Sequence, residues 1–117
     1  MKYMILIYGA PELDPTPGTP EFDAMMQGYM QASETYEKDG VFVAGEALME
    51  VDSATSIRIR GGKTETMDGP FAETKETLGG FYILDCANLD EALKYAAMIP
   101  TAKYGTVEVR PVMDFSE

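Results

Sequence analysis

The sequence predicts an α+β fold in which two helices cover one face of a sheet and a hairpin is inserted between the sheet's strands. Three observations carry this. Lys2 to Tyr8 and Phe81 to Leu84 are apolar at nearly every position, as strands buried on both faces are. The stretches after Thr19 and after Asn88 carry apolar residues at helical spacing. Gly61-Gly62, set between two alternating segments, marks a two-residue hairpin turn.

Each element follows from local chemistry. Lys2 to Tyr8 reads as a central strand. Gly9 to Pro20, with four prolines and two glycines, reads as a mobile loop. Thr19 caps a helix whose first residue is Pro20, where a missing N–H breaks no bond. Phe22, Met26, Tyr29, Ser33 and Tyr36 fall on one side of that helix, and Met25, Met30 and Ala32 widen the stripe. The stripe is expected to be core rather than a cofactor site. Gly40 ends the helix as a C′ glycine, Val41 to Ala44 begins the second strand, and Gly45-Glu46 is expected to turn after it.

Ser56 to Arg60 and Lys63 to Met67 form the hairpin, with Arg58 opposite Glu65, Ile57 opposite Thr66, and Ile57 and Ile59 facing inward. Phe81 to Leu84 should lie beside the first strand. Asn88, with Glu91 three residues on, resembles a capping box. The helix it opens should bury Leu89, Ala92, Leu93, Ala96 and Ile99 and stop before Pro100. In Thr106 to Arg110, Val107 and Val109 share one face, Glu108 and Arg110 the other, and Pro111 confines the strand to an edge.

With right-handed crossovers this order is a ferredoxin-like βαββαβ core with an inserted β-hairpin, in one domain of residues 1–117. Two helices cover only one face of the sheet. The central strands are apolar on both, so a second copy packing sheet to sheet is the expected cover, giving a dimeric α+β barrel and a homodimer as the working form.

Composition narrows the function. A net charge of −11, from twenty acids and nine bases, repels phosphate backbones, so no direct nucleic-acid partner is expected. No apolar run is long enough to span a membrane and the start lacks the layout of a signal peptide, so the expectation is a cytoplasmic protein. The lone Cys86 reads as a small buried hydrophobe. The chain has no histidine. That removes the usual general base near neutral pH, the commonest metal ligand and every Ser-His or Cys-His nucleophile pair, so no metal is expected. Any chemistry must come from carboxylates, lysine, arginine, tyrosine or a bound cofactor, and the sequence names no cofactor.

The most unusual stretch is Met67 to Phe81. Gly69 and Pro70 bend the chain sharply, the charges Glu73, Lys75 and Glu76 follow, and Gly79-Gly80 leads into an apolar strand. Charges held beside core strands call for pairing if buried, and a partly desolvated carboxylate can act as a base. Asp68 and Glu73 are therefore the catalytic candidates. Lys75, Glu76, Arg110, Tyr8, Tyr82 and Glu46 are the ligand-binding candidates, with Glu108 beside them.

The run Asp68-Gly69-Pro70-Phe71-Ala72-Glu73-Thr74-Lys75-Glu76, followed by Leu78-Gly79-Gly80-Phe81, resembles the signature of the YCII-related family, in the branch named for its DGPF motif. Gly45-Glu46-Ala47-Leu48 and Val107 to Met113 extend the resemblance over nearly the whole chain. It implies a dimeric ferredoxin-like barrel of largely uncharacterised activity. The wider family includes members with a proposed catalytic His-Asp pair, which a chain without histidine cannot form. Two readings stand. One is a homodimer with a small-molecule pocket near the motif and the dimer interface, as in enzymes of isomerase, lyase or oxygenase type. The other is a non-catalytic accessory module in sigma-factor-dependent transcription control, which the resemblance implies through branch members encoded beside, or fused to, such factors.

Overall fold

In the computed structural model, which describes residues 1–116, the chain forms β1 (Lys2–Gly9), α1 (Pro20–Lys38), β2 (Phe42–Ala47), β3 (Thr55–Arg60), β4 (Lys63–Asp68), β5 (Thr77–Asp85), α2 (Leu89–Ala96) and β6 (Thr106–Pro111). The main sheet has the order β2-β5-β1-β6, and β3 and β4 pair separately as a hairpin. Every neighbour in the main sheet is antiparallel. This is the ferredoxin-like α+β arrangement, with β1 and β5 central and β6 at an edge.

Alternation along β1 divides the sheet's two faces. Tyr3, Ile5 and Ile7 are buried under the helices, while Met4, Leu6 and Tyr8 on the opposite face are half-buried. Register carries the division across the sheet. Ile5 lies opposite Tyr82 and Val109; Leu6 lies opposite Phe81 and Glu108; Met4 lies opposite Ile83 and Arg110. The core joins the helix-side face of β1 and β5 to Ala32 and Tyr36 of α1 and to Ala92, Tyr95 and Ala96 of α2, closed by Val41, Cys86 and Ile99.

Both helix starts are capped as their sequences require. Thr19 Oγ1 accepts from the Phe22 N–H at 3.3 Å, and Asn88 Oδ1 accepts from the Glu91 N–H at 2.9 Å. The Glu91 carboxylate reaches back to the N–H of Ala87, one residue before the cap. Gly40, at φ 73°, ends α1: its N–H bonds to Glu37 O and the Val41 N–H to Tyr36 O, which satisfies two carbonyls of the last turn.

Four details differ from the sequence expectation. Leu89 and Leu93 of α2 are exposed, and Tyr95 takes their place in the core because its ring reaches past the short Ala92 and Ala96. Met26 and Met30 of α1 are exposed for the same reason, since the helix sits down on its small Ala32 and on Tyr36. Glu46 lies within β2, opposite Phe81, rather than in a turn. Ile57 and Ile59 are 65% and 64% exposed, because the hairpin has no sheet or helix beneath it. Its register is as expected, with Arg58 opposite Glu65 and Ile57 opposite Thr66, and Gly61 and Gly62 both have positive φ.

The molecule is a slab of 48 × 48 × 18 Å. Its radius of gyration is 16.3 Å, against roughly 13 Å for a compact chain of this length. The excess comes from the hairpin arm, on which every residue of β4 is exposed, and from the single-sided cover of the sheet.

Candidate functional site

Small residues leave a space between α1 and one half of the sheet. On the side facing the helix, Gly45 of β2 lies opposite Tyr82, and Ala47 lies opposite Gly80 of β5. Few side chains rise from this patch, so α1 cannot close onto it. The result is a cavity of about 580 Å³ floored by Gly45, Ala47, Gly79 and Gly80. Met25, Met26, Tyr29 and Ser33 of α1 form one wall, Phe42 and Tyr82 another, and Asp14 and Thr101 stand at the end nearest β1. The volume suits a small organic molecule, and the lining is largely apolar with a few polar groups, as ligand sites are.

The polar groups form two pairs and one single. Tyr29 Oη and Thr101 Oγ1 are 2.5 Å apart, and Ser33 Oγ and Tyr82 Oη are 3.0 Å apart. Each pair ties α1 to another element and leaves hydroxyl capacity for a ligand. Asp14 stands alone: its Oδ1 is shielded from solvent and has no hydrogen-bond partner. Burial pushes the Asp14 carboxyl above its ordinary range, and the Glu76 carboxylate nearby pushes it the same way. Glycine at position 9 is what admits this carboxylate, since a Cβ there would stand 2.9 Å from Asp14 Oδ2. Burial likewise raises the Tyr29 hydroxyl.

The residues singled out from the sequence divide into three groups. Tyr82 forms a wall of the cavity and Glu46 borders it from β2. Glu76 is outside the lining; its Oε1 accepts from Thr106 Oγ1 at 3.0 Å, within electrostatic reach of Asp14. Tyr8, Glu108 and Arg110 lie on the sheet face away from the helices, where the Arg110 Nε donates to Glu108 Oε2 at 2.9 Å and this pairing raises the guanidinium above its ordinary value. Asp68, Glu73 and Lys75 are exposed and do not line the cavity, and Phe71 beside them is 74% exposed. The motif's bend is as expected, with Gly69 at φ 91°. What the motif brings to the cavity is its distal Gly79-Gly80.

Asp14 and Thr101 were not legible as site residues, and Tyr29 and Ser33 read as core. The usable signal was absence of volume: Gly45, Ala47 and Gly80 fall where neighbouring strands would otherwise carry larger side chains toward the helix. Among the described residues no three His, Cys, Asp or Glu side chains come together as metal ligands would. Among the described residues no helix is long and apolar enough to cross a membrane.

The profile of the YCII-related domain matches residues 1–116. The chain belongs to the YCII-related family. A relative in the family's pattern, an uncharacterized protein of Rhizobium meliloti (strain 1021), is 37% identical over 114 residues, covering 96% of this chain and 92% of the relative. The YCII-related match spans every element of the fold described above.

Proposed function

We propose that this protein is a cytoplasmic homodimer that binds a small organic molecule in the cavity between α1 and the β2–β5 half of the sheet. The observation that carries the binding reading is the cavity itself: about 580 Å³, apolar in its body, with hydroxyls paired across it and one carboxyl oxygen without a partner. A carboxyl whose proton affinity is raised is suited to proton transfer, so Asp14 is the group that would serve an isomerase- or lyase-type reaction on such a ligand.

Dimerisation is supported by the uncovered face of the sheet. Met4, Leu6, Phe81 and Ile83 share that face at half-burial with no second layer over it, and Ile57 and Ile59 extend apolar surface along the arm. A second copy laid on this face would bury both and place Tyr8, Glu108 and Arg110 at the interface. Sedimentation at low micromolar concentration tests it, and a stable monomer there removes it.

A thermal-shift screen of metabolites tests the cavity. A ligand at a hundred times its dissociation constant adds about 2.7 kcal/mol of stability, and Met26→Trp, which crowds the cavity from an exposed position, should abolish the shift. A hit whose shift survives Met26→Trp binds elsewhere and overturns the assignment.

One observation favours the accessory-module reading: Asp68, Glu73 and Lys75 all face solvent and so are free to meet a protein partner. Co-purification with a sigma factor that is lost on Asp68→Asn with Glu73→Gln would support it; co-purification unaffected by these changes would remove the motif from that role.

A further inference from the structure

We infer that the cavity selects amines: small molecules with an aromatic or aliphatic body and a protonated nitrogen, held by the Asp14 carboxylate against the rings of Tyr29 and Tyr82. This rests on the reading that the cavity is a ligand site, and adds the chemical class of the ligand.

Three features of the lining argue for it. Asp14 Oδ1 is shielded from water and lacks a donor. A carboxylate partly withdrawn from water and lacking a donor is costly, and an ammonium in the cavity supplies a charge-assisted bond to its other oxygen, Oδ2, which is not shielded in this way. The charge of the lining has one sign: Asp14 and Glu37 are its acids, Glu46 borders it from a position that shares the face of Phe81, and no lysine or arginine is among the lining residues. An anionic ligand would enter with nothing to neutralise it, on a chain whose net charge is already −11. The walls also present aromatic faces and edges from Tyr29, Phe42 and Tyr82, and cations are drawn to such rings within about 6 Å. The other ionisable groups facing Asp14 agree in direction, since Glu76 is an acid and Tyr29 is neutral near pH 7.

The test uses three molecules of one shape and different charge: 2-phenylethylamine, 2-phenylethanol and phenylacetate, titrated by calorimetry into the purified full chain at neutral pH. The amine should bind at least about tenfold more tightly than the alcohol, a gap of about 1.4 kcal/mol, and phenylacetate should bind most weakly. Asp14→Asn should erase the amine's advantage over the alcohol. An alcohol that binds as well as the amine, or an amine advantage that survives Asp14→Asn, overturns the amine assignment and leaves the cavity as a ligand site. Phenylacetate binding tightest also overturns it. Binding of none of the three at millimolar concentration, with no hit in the metabolite screen, removes the ligand site and the inference together.

Discussion

The hydroxyl of Tyr36 donates to the carbonyl oxygen of Tyr95 across 2.6 Å, joining α1 to α2 through the middle of the core. The Tyr36 ring also meets the rings of Tyr82 and Tyr95 edge-on, at 5.2 and 5.7 Å between centroids. One fully buried side chain thus holds both helices and the central strand β5, and burial raises its hydroxyl well above the ordinary tyrosine value. Tyr36→Phe should cost about 1 kcal/mol, the net worth of one buried hydrogen bond, because the Tyr95 carbonyl keeps the Met98 N–H as a donor. Tyr36→Ala should cost about 3–5 kcal/mol, the range for deleting a buried aromatic ring. Urea denaturation of both variants checks the two values.

Gly105 admits no side chain. A Cβ there would stand 2.1 Å from the backbone oxygen of Tyr8, and the backbone of a central strand cannot yield as a side-chain tip can. Gly105→Ala should therefore cost about 2 kcal/mol or more, at the upper end of overpacking changes, measured by the same denaturation.

Asp14 should make the protein's stability depend on pH in a definite direction. Its carboxyl is raised in the folded chain above the ordinary value of 3.8, first by burial and then by Glu76. The folded state therefore holds the proton more tightly than the unfolded chain. The stability this gives is fully present below the unfolded value and is lost as the pH rises through the folded one. Asp14→Asn should accordingly raise the melting temperature at neutral pH, and the gain should shrink as the pH falls toward 3.8. Thermal melts of both proteins across the acid range check it. A carboxylate kept at such a cost fits a group retained for function.

The hairpin arm should matter for association and little for the fold of one chain. Ile57 and Ile59 touch no core element, so changing both to Lys should alter monomer stability by no more than about 0.5 kcal/mol. The same change should weaken the proposed dimer at least about tenfold, or about 1.4 kcal/mol, as read by sedimentation.

Strand order, hairpin register and both helix caps were legible in the sequence because each rests on short-range chemistry: continuous apolar runs, a Gly-Gly turn, and Thr or Asn before a helical period. Burial along the helices was less legible. Periodicity names a face but not how deep it sits, and the small residues Ala32, Ala92 and Ala96 let Tyr36 and Tyr95 go to the bottom while Leu89, Leu93 and Met30 stay at the surface. The cavity was hardest to see. It is made by what Gly45, Ala47 and Gly80 lack, and by Asp14, which arrives from a proline-rich loop whose path no local pattern specifies. The density of charges in Met67 to Glu76 drew attention to a segment whose ionisable groups mostly face water.

The two outer strands of the main sheet end irregularly. Between Phe42 and Ala44 the pairing of β2 with β5 slips by one residue, and β6 stops at Pro111, which has no N–H to offer. The bulge shortens the regular ladder of β2 and the proline removes one donor at the end of β6, and both discourage a neighbouring chain from extending the sheet. In the proposed dimer the broad apolar side is used up by one partner, so a further copy would find no second such surface to join.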